Sequence, residues 1–201
     1  MKIPSKHIET AVDQIASLPG IGRRTALRLV LNLMNRSEEE IRDFADAFVQ
    51  MKQHTKKCSV CGNISDMPIC SICSSDKRDH STICVVEDIR DVLAIESTDS
   101  YRGVYHVLGG IISPMDGIGP SDLNINALIE RVQTKSVNEV IFALSATMEG
   151  DTTNFFIFKK LKEFNVAIST LSRGVAIGSE LQYADEITLS RSLLNRQPFE
   201  V

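Results

Sequence analysis

The stretch ICVVEDIRDVLAIESTDSYRGVYHVL, residues 83–108, reads as a strand, a helix and a second strand in direct succession. ICVVE is an apolar strand ending in an acid, DIRDVLAIEST a helix, and YRGVYHVL the next strand. The same alternation continues downstream. After the turn-rich ISPMDGIGPSD come the helix NINALIERVQTK, the strand EVIFAL, the helix GDTTNFFIFKKLKEF and the short strand VAIST. Apolar strands alternating with helices predict an α/β fold, a parallel sheet covered by helices on both faces. From about Gly178 the signals are mixed, and the tail reads as an arm outside the core.

Upstream the pattern is helical. Ile8, Val12, Ile15 and Ala16 recur at helical spacing and predict a helix over residues 5–17. Leu27, Val30, Leu31 and Met34 give a second helix with one apolar stripe. Ser37-Glu38-Glu39-Glu40 has the form of a capping box and opens a third helix, with Ile41, Phe44, Phe48 and Met51 along one face. Between this helical part and the first strand, residues 58–73 are too rich in Cys, Ser, Gly and Pro for regular elements.

That segment, CSVCGNISDMPICSIC, holds Cys58, Cys61, Cys70 and Cys73 as two Cys-x-x-Cys knuckles. Four thiolates so spaced close a tetrahedron around zinc and leave no open position for a reacting water, so the expected role is structural. A redox pair within either knuckle is the alternative. Cys84, inside an apolar strand, is expected to be inert core.

At 201 residues the chain has room for one or two domains and a real core. It contains no run of about 18 apolar residues, as a membrane-spanning helix requires. MKIPSKHIETAV lacks the apolar core of a signal peptide, so the expected location is cytoplasmic. The net charge of −4 is unevenly placed: residues 1–80 carry 12 Lys and Arg against 10 Asp and Glu, residues 81–201 carry 10 against 16. No acid lies between Gln14 and Ser37, where Arg23, Arg24, Arg28 and Arg36 stand. A polyanion contact is therefore expected near the N-terminus, on an otherwise acidic body.

LPGIGRR, residues 18–24, lies inside that window. Gly20 and Gly22 permit backbone angles closed to other residues and let another backbone approach. The loop runs into a helix N-terminus, where unpaired N–H groups and the helix dipole attract an anion. Arg24 and Arg28, one turn apart, lie beside the apolar stripe and can reach flanking phosphates, with the direction of Arg23 less defined. Such binding would be sequence-independent and salt-sensitive. The other reading is a tight helix–helix turn with solvated arginines.

A helix-hairpin-helix, a four-cysteine motif and a strand ending in Glu87, in that order, resemble the RecR family of bacterial recombination mediators. SPMDGIGP (113–120), TMEG (147–150) and SRGVAIGSELQYADEITL (172–189) fall in the family's order and separation. The likeness covers essentially the whole chain. It departs at Arg23-Arg24, where the family often has Pro-Lys, and at Ala176, where it usually has Pro.

The resemblance implies a helical helix-hairpin-helix domain (1–57), a four-cysteine zinc finger (58–73), a Toprim domain (81–177) and a C-terminal arm (178–201). Catalytic Toprim enzymes hold magnesium with a glutamate after the first strand and an Asp-x-Asp pair after a later one. Glu87 stands in the first place, but EVIFAL ends in Ser145-Ala146-Thr147, with Glu149 and Asp151 only beyond. RecR-like proteins share this loss, so a non-enzyme is expected. Glu87 and Glu149 are then candidates for weak magnesium or partner contact, with helix capping the plainer role for Glu87. The competing class is a magnesium-dependent nuclease or primase-like enzyme using Glu87 with Glu149 or Asp151. The family further implies a tetrameric ring that encloses DNA and acts with RecO and RecF to load RecA on single-stranded or gapped DNA.

Overall fold

The structure, a computed structural model, describes residues 3–196 and Pro198; residues 1, 2, 197 and 199–201, the last of them the end of the expected arm, lie outside the described residues. The chain forms two compact units that divide between Thr55 and Lys56.

The first unit is three helices, α1 (Lys6–Ala16), α2 (Arg23–Leu33) and α3 (Glu38–His54). Its core is small. Val12, Ala26 and Val30 are buried where α1 meets α2, with Ile8, Ile15 and Leu27 half-buried around them. The capping box at α3 is present: Glu40 N–H donates to Ser37 Oγ (3.2 Å), and Ser37 N–H to Glu40 Oε2 (2.8 Å). The α3 helix buries no residue, however. Along its apolar face Phe44 is 41%, Phe48 55% and Met51 57% exposed.

The second unit begins with two short strands, β1 (Lys56–Lys57) and β2 (Ile64–Ser65), paired antiparallel. Their ladder corrects the expectation of no regular structure over 58–73. The knuckle doubles back on itself, so Ile64 and Ser65 reach β1 despite a composition poor in strand formers.

Beyond it lies a four-stranded sheet of β3 (Asp79–Val86), β4 (Gly103–Val107), β5 (Glu139–Phe142) and β6 (Ala167–Thr170), ordered β4-β3-β5-β6. Every pairing is parallel. One face packs on α4 (Ile89–Glu96) through Val92 and Ile95, beside Cys84, Val86, Tyr105 and Val107. The other carries the larger core, where Ile125, Leu128 and Val132 of α5 (Ile125–Thr134) and Ile157 and Leu161 of α6 (Met148–Leu161) meet Ile83, Val85, Val104 and Val140. Sequence periodicity opens the last of these helices at Gly150; it begins at Met148, because the Thr147 hydroxyl caps it by accepting from Gly150 N–H (3.2 Å). The tail forms one further helix, α7 (Glu186–Leu194), which buries none of its residues.

Strand β4 is a sheet edge, and several of its outward groups are engaged by other parts of the chain. Val107 N–H donates to the Cys61 carbonyl (2.7 Å). The buried Arg131 guanidinium donates from Nη1 to the Tyr105 carbonyl (2.7 Å). Ile72, between Cys70 and Cys73, packs against the clusters on both sheet faces. The cysteine knuckle thus clasps the edge that would otherwise be open to another strand.

Candidate functional site

The hairpin of the first unit joins α1 to α2. Gly20 has φ +79°, a left-handed backbone that side chains rarely tolerate. Gly22 is the N-cap of α2 and offers no side chain to the helix end, and a Cβ at either glycine would meet nothing within 4 Å. Ala26 N–H is the first to find an intrahelical acceptor, the Gly22 carbonyl (3.0 Å). The amides of Arg23, Arg24 and Thr25 precede it and have no helical partner. All three residues are exposed.

The arginines differ. Arg23 folds back on α1, paired with Asp13 and with Glu9 (3.4 Å). The acid-free window Gln14–Ser37 concealed this, because the neutralising carboxylates come from one helix earlier. Arg24 and Arg28 are exposed and form no ion pair or side-chain hydrogen bond among the described residues. An open helix N-terminus beside two uncommitted guanidinium groups can receive phosphate oxygens.

Cys58, Cys61, Cys70 and Cys73 place their sulfurs within 4.8 Å of one another, and the first three are buried. The Cys61 and Cys70 sulfurs are 3.6 Å apart. Cys70 N–H points to Cys58 Sγ (3.3 Å), and Cys73 N–H to Cys70 Sγ (3.5 Å). Such N–H groups stabilise metal-bound thiolate. Without a cation the cluster resists full ionisation: a hydrogen bond that the Cys61 thiol donates to Cys73, together with burial, pushes that thiol up. Burial also opposes the charged form of Cys58, yet the N–H groups of Cys70, Val60 and Cys61 bring it down to about 7. Soft donors in this number fit zinc and its tetrahedral shell. Cys84 stands apart in the sheet, its thiol raised to about 12 by burial and by Asp91.

At the carboxyl end of the sheet, the order of strand addition reverses between β3 and β5, the position where such sheets bind ligands. Glu87 follows β3, half-buried, its carboxyl raised by burial and by the charges of Asp91 and Asp88. Asp88 rather than Glu87 caps the next helix, its Oδ1 accepting from Arg90 N–H (2.7 Å), and Asp91 completes the capping box, its Oδ2 accepting from Glu87 and Asp88 N–H (3.1 Å each). Glu149 lies exposed in the first turn of α6. Asp151 is engaged by Arg173 (2.7 Å) and Arg191 (3.5 Å), which hold its carboxyl low. Among the described residues the cysteines alone form a group of three or more metal-competent side chains, and these three acids do not. In SPMDGIGP, Asp116 accepts from Ser113 Oγ (2.6 Å), which closes the turn.

Comparison with known proteins decides the family. The model for the RecR helix-hairpin-helix matches residues 8–52, that for the RecR four-cysteine zinc finger domain 55–75, that for the Toprim domain 81–172 and that for the RecR C-terminal segment 174–197. The recombination protein RecR of Porphyromonas gingivalis is 59% identical over 198 residues, 98% of this chain and 96% of its own length. The chain belongs to the RecR family. The RecR of Flavobacterium johnsoniae is 56% identical over 200 residues, all of this chain and 97% of the relative. That of Bacteroides thetaiotaomicron is 55% identical over 196 residues, 98% and 96% of the two chains. The RecR family places this chain among DNA-recombination and repair proteins, and its zinc-finger module agrees with the cysteine geometry in assigning structural zinc. No helix among the described residues of this RecR-family chain is long and apolar enough to cross a membrane.

Proposed function

We propose that the protein is a non-enzymatic recombination mediator of the cytoplasm that grips DNA without reading its sequence. One observation carries the reading: the exposed hairpin, with its open amides flanked by uncommitted Arg24 and Arg28. Gly20 and Gly22 shape the loop, and Arg23 contributes through the backbone while its side chain braces α1. On this reading the protein works as a tetrameric ring with RecO and RecF to place RecA on single-stranded or gapped DNA. The apolar face left open on the first unit supports self-association. Ile15, Leu18, Ile21, Leu33, Phe44 and Phe48 line a cavity of about 620 Å³ there. In a ring, several weak phosphate contacts act together, so an acidic protein can still hold a polyanion.

Arg24→Glu with Arg28→Glu should lower DNA affinity at least about tenfold and flatten its salt dependence, with fold and zinc content retained. Unchanged affinity and salt slope in titrations with gapped DNA would remove the hairpin from the interface.

A magnesium-dependent enzyme finds no supporting geometry. Asp151 is neutralised by two arginines, and among the described residues Glu87 and Glu149 belong to no cluster of three metal-competent side chains. Glu87 and Glu149 are left for a weak cation or a protein partner. Cleavage of nicked or gapped DNA that needs magnesium and disappears in Glu87→Gln would reinstate the enzyme.

A further inference from the structure

Away from the hairpin and the zinc site, a cavity of about 600 Å³ opens between α6, the end of β6 and the arm. Asp151, Asn154, Ser172, Arg173, Arg191 and Asn195 are the polar side chains that line it, with Thr170. Donors outnumber acceptors. Arg173 spends Nη2 on Asp151 Oδ1 and Arg191 spends Nη2 on Asp151 Oδ2, while their other nitrogens have no partner among the described residues. Two guanidinium groups against one carboxylate leave the cavity a net positive charge.

Asn154 supplies the second, independent observation. It is 9% exposed, and its side-chain oxygen is buried without a hydrogen bond. This oxygen can only accept, so in this orientation it offers nothing to a phosphate oxygen. A half-turn of the amide presents its two N–H donors instead.

We propose that this cavity binds a phosphate group. Guanidinium, amide and hydroxyl donors converge from three elements, more than the two oxygens of a carboxylate can satisfy and suited to a tetrahedral oxyanion. Asp151 holds the two arginines together and moderates the affinity, since an incoming anion must share them with it. The volume exceeds that of a bare phosphate and leaves room for an attached sugar or base. The ligand is therefore a phosphate monoester, free as a mononucleotide or at the 5′ end of a strand. This site is independent of the hairpin reading and survives its failure.

The test uses the full chain, zinc-loaded, with inorganic phosphate, dAMP, acetate and paired 5′-phosphorylated and unphosphorylated oligonucleotides as probes. Calorimetry should give saturable binding of phosphate or dAMP, weakened at least about tenfold in Arg191→Gln and unaltered in the control Arg42→Gln. Ser172→Glu, on an exposed lining position, should abolish binding by like charge and keeps the test alive if Arg191→Gln fails to fold. If the terminus is the source, the phosphorylated strand exceeds its unphosphorylated twin, and the excess vanishes in Ser172→Glu and persists in the Arg24→Glu, Arg28→Glu protein. Binding unaffected by Arg191→Gln and Ser172→Glu overturns the proposal, as does acetate binding as well as phosphate. No saturation by any phosphate probe at about 20 mM, where a millimolar site would be filled, overturns it too.

Discussion

Gly150 has no room for a methyl group: a Cβ there would come within 2.0 Å of the Ser145 carbonyl oxygen. The helix α6 therefore starts as close to the end of β5 as its backbone allows, and this explains the glycine of TMEG. Gly150→Ala should destabilise the sheet unit by about 1–3 kcal/mol, the usual range for overpacking, read from the denaturant midpoint. His106 is a second pressure point. It is fully buried in β4, and its Nε2–H donates to the Asn124 carbonyl (2.8 Å), while Nδ1 has no partner. Burial lowers its pKa from 6.5 to about 4, and nearby Arg131 acts in the same direction. The folded state therefore binds fewer protons than the unfolded state between those values. Stability from this group is complete above about pH 6.5 and is lost as pH falls towards 4, by at most about 3 kcal/mol. Of the four histidines, His106 should remain neutral at pH 5.5 when the ring nitrogens are followed by NMR.

At the scale of elements, the zinc knuckle and the sheet act as one piece. The Cys61 carbonyl receives Val107 N–H, and Ile72 is wedged against the cores on both sheet faces. Removing zinc should therefore release the edge of β4 as well as the knuckle. Hydrogen exchange should show the Val107 amide losing protection on chelation, with amides inside β5 exchanging far less. Equal loss across all strands would mean that the knuckle supports the whole sheet rather than its edge. Strand β5, between β3 and β6, needs no such cover because both its edges are paired. The pairing of Asp151 with Arg173 and Arg191 does similar work for the arm, tying α7 to α6 where apolar burial is missing.

For the whole molecule, the division between Thr55 and Lys56 separates the positive hairpin from the acidic sheet unit. A chain restricted to residues 56–201 should fold, retain one equivalent of zinc by metal analysis and lose DNA binding. DNA affinity equal to that of the full chain would place the interface in the second unit. Among its described residues, the first unit buries only Val12, Ala26 and Val30. So small a core gains most from a partner, and sedimentation of the full chain should report an oligomer larger than a dimer.

What the residues alone determined was whatever depends on short spacing. Apolar runs separated by helical periods gave the parallel sheet with helices on both faces, two Cys-x-x-Cys pairs gave the zinc site, and two glycines before paired arginines marked the hairpin. Each strand, helix and motif behind these signals is itself at most about 20 residues long, where local geometry leaves few alternatives. Only the tertiary structure decided contacts between distant segments. It paired Arg23 with Glu9 and Asp13, set β2 on β1, clasped the knuckle to β4, and tied Asp151 to Arg173 and Arg191 around a cavity. No periodicity carries such information, because the partner of a charge or a sheet edge is chosen by how the chain closes in space, not by its neighbours along it.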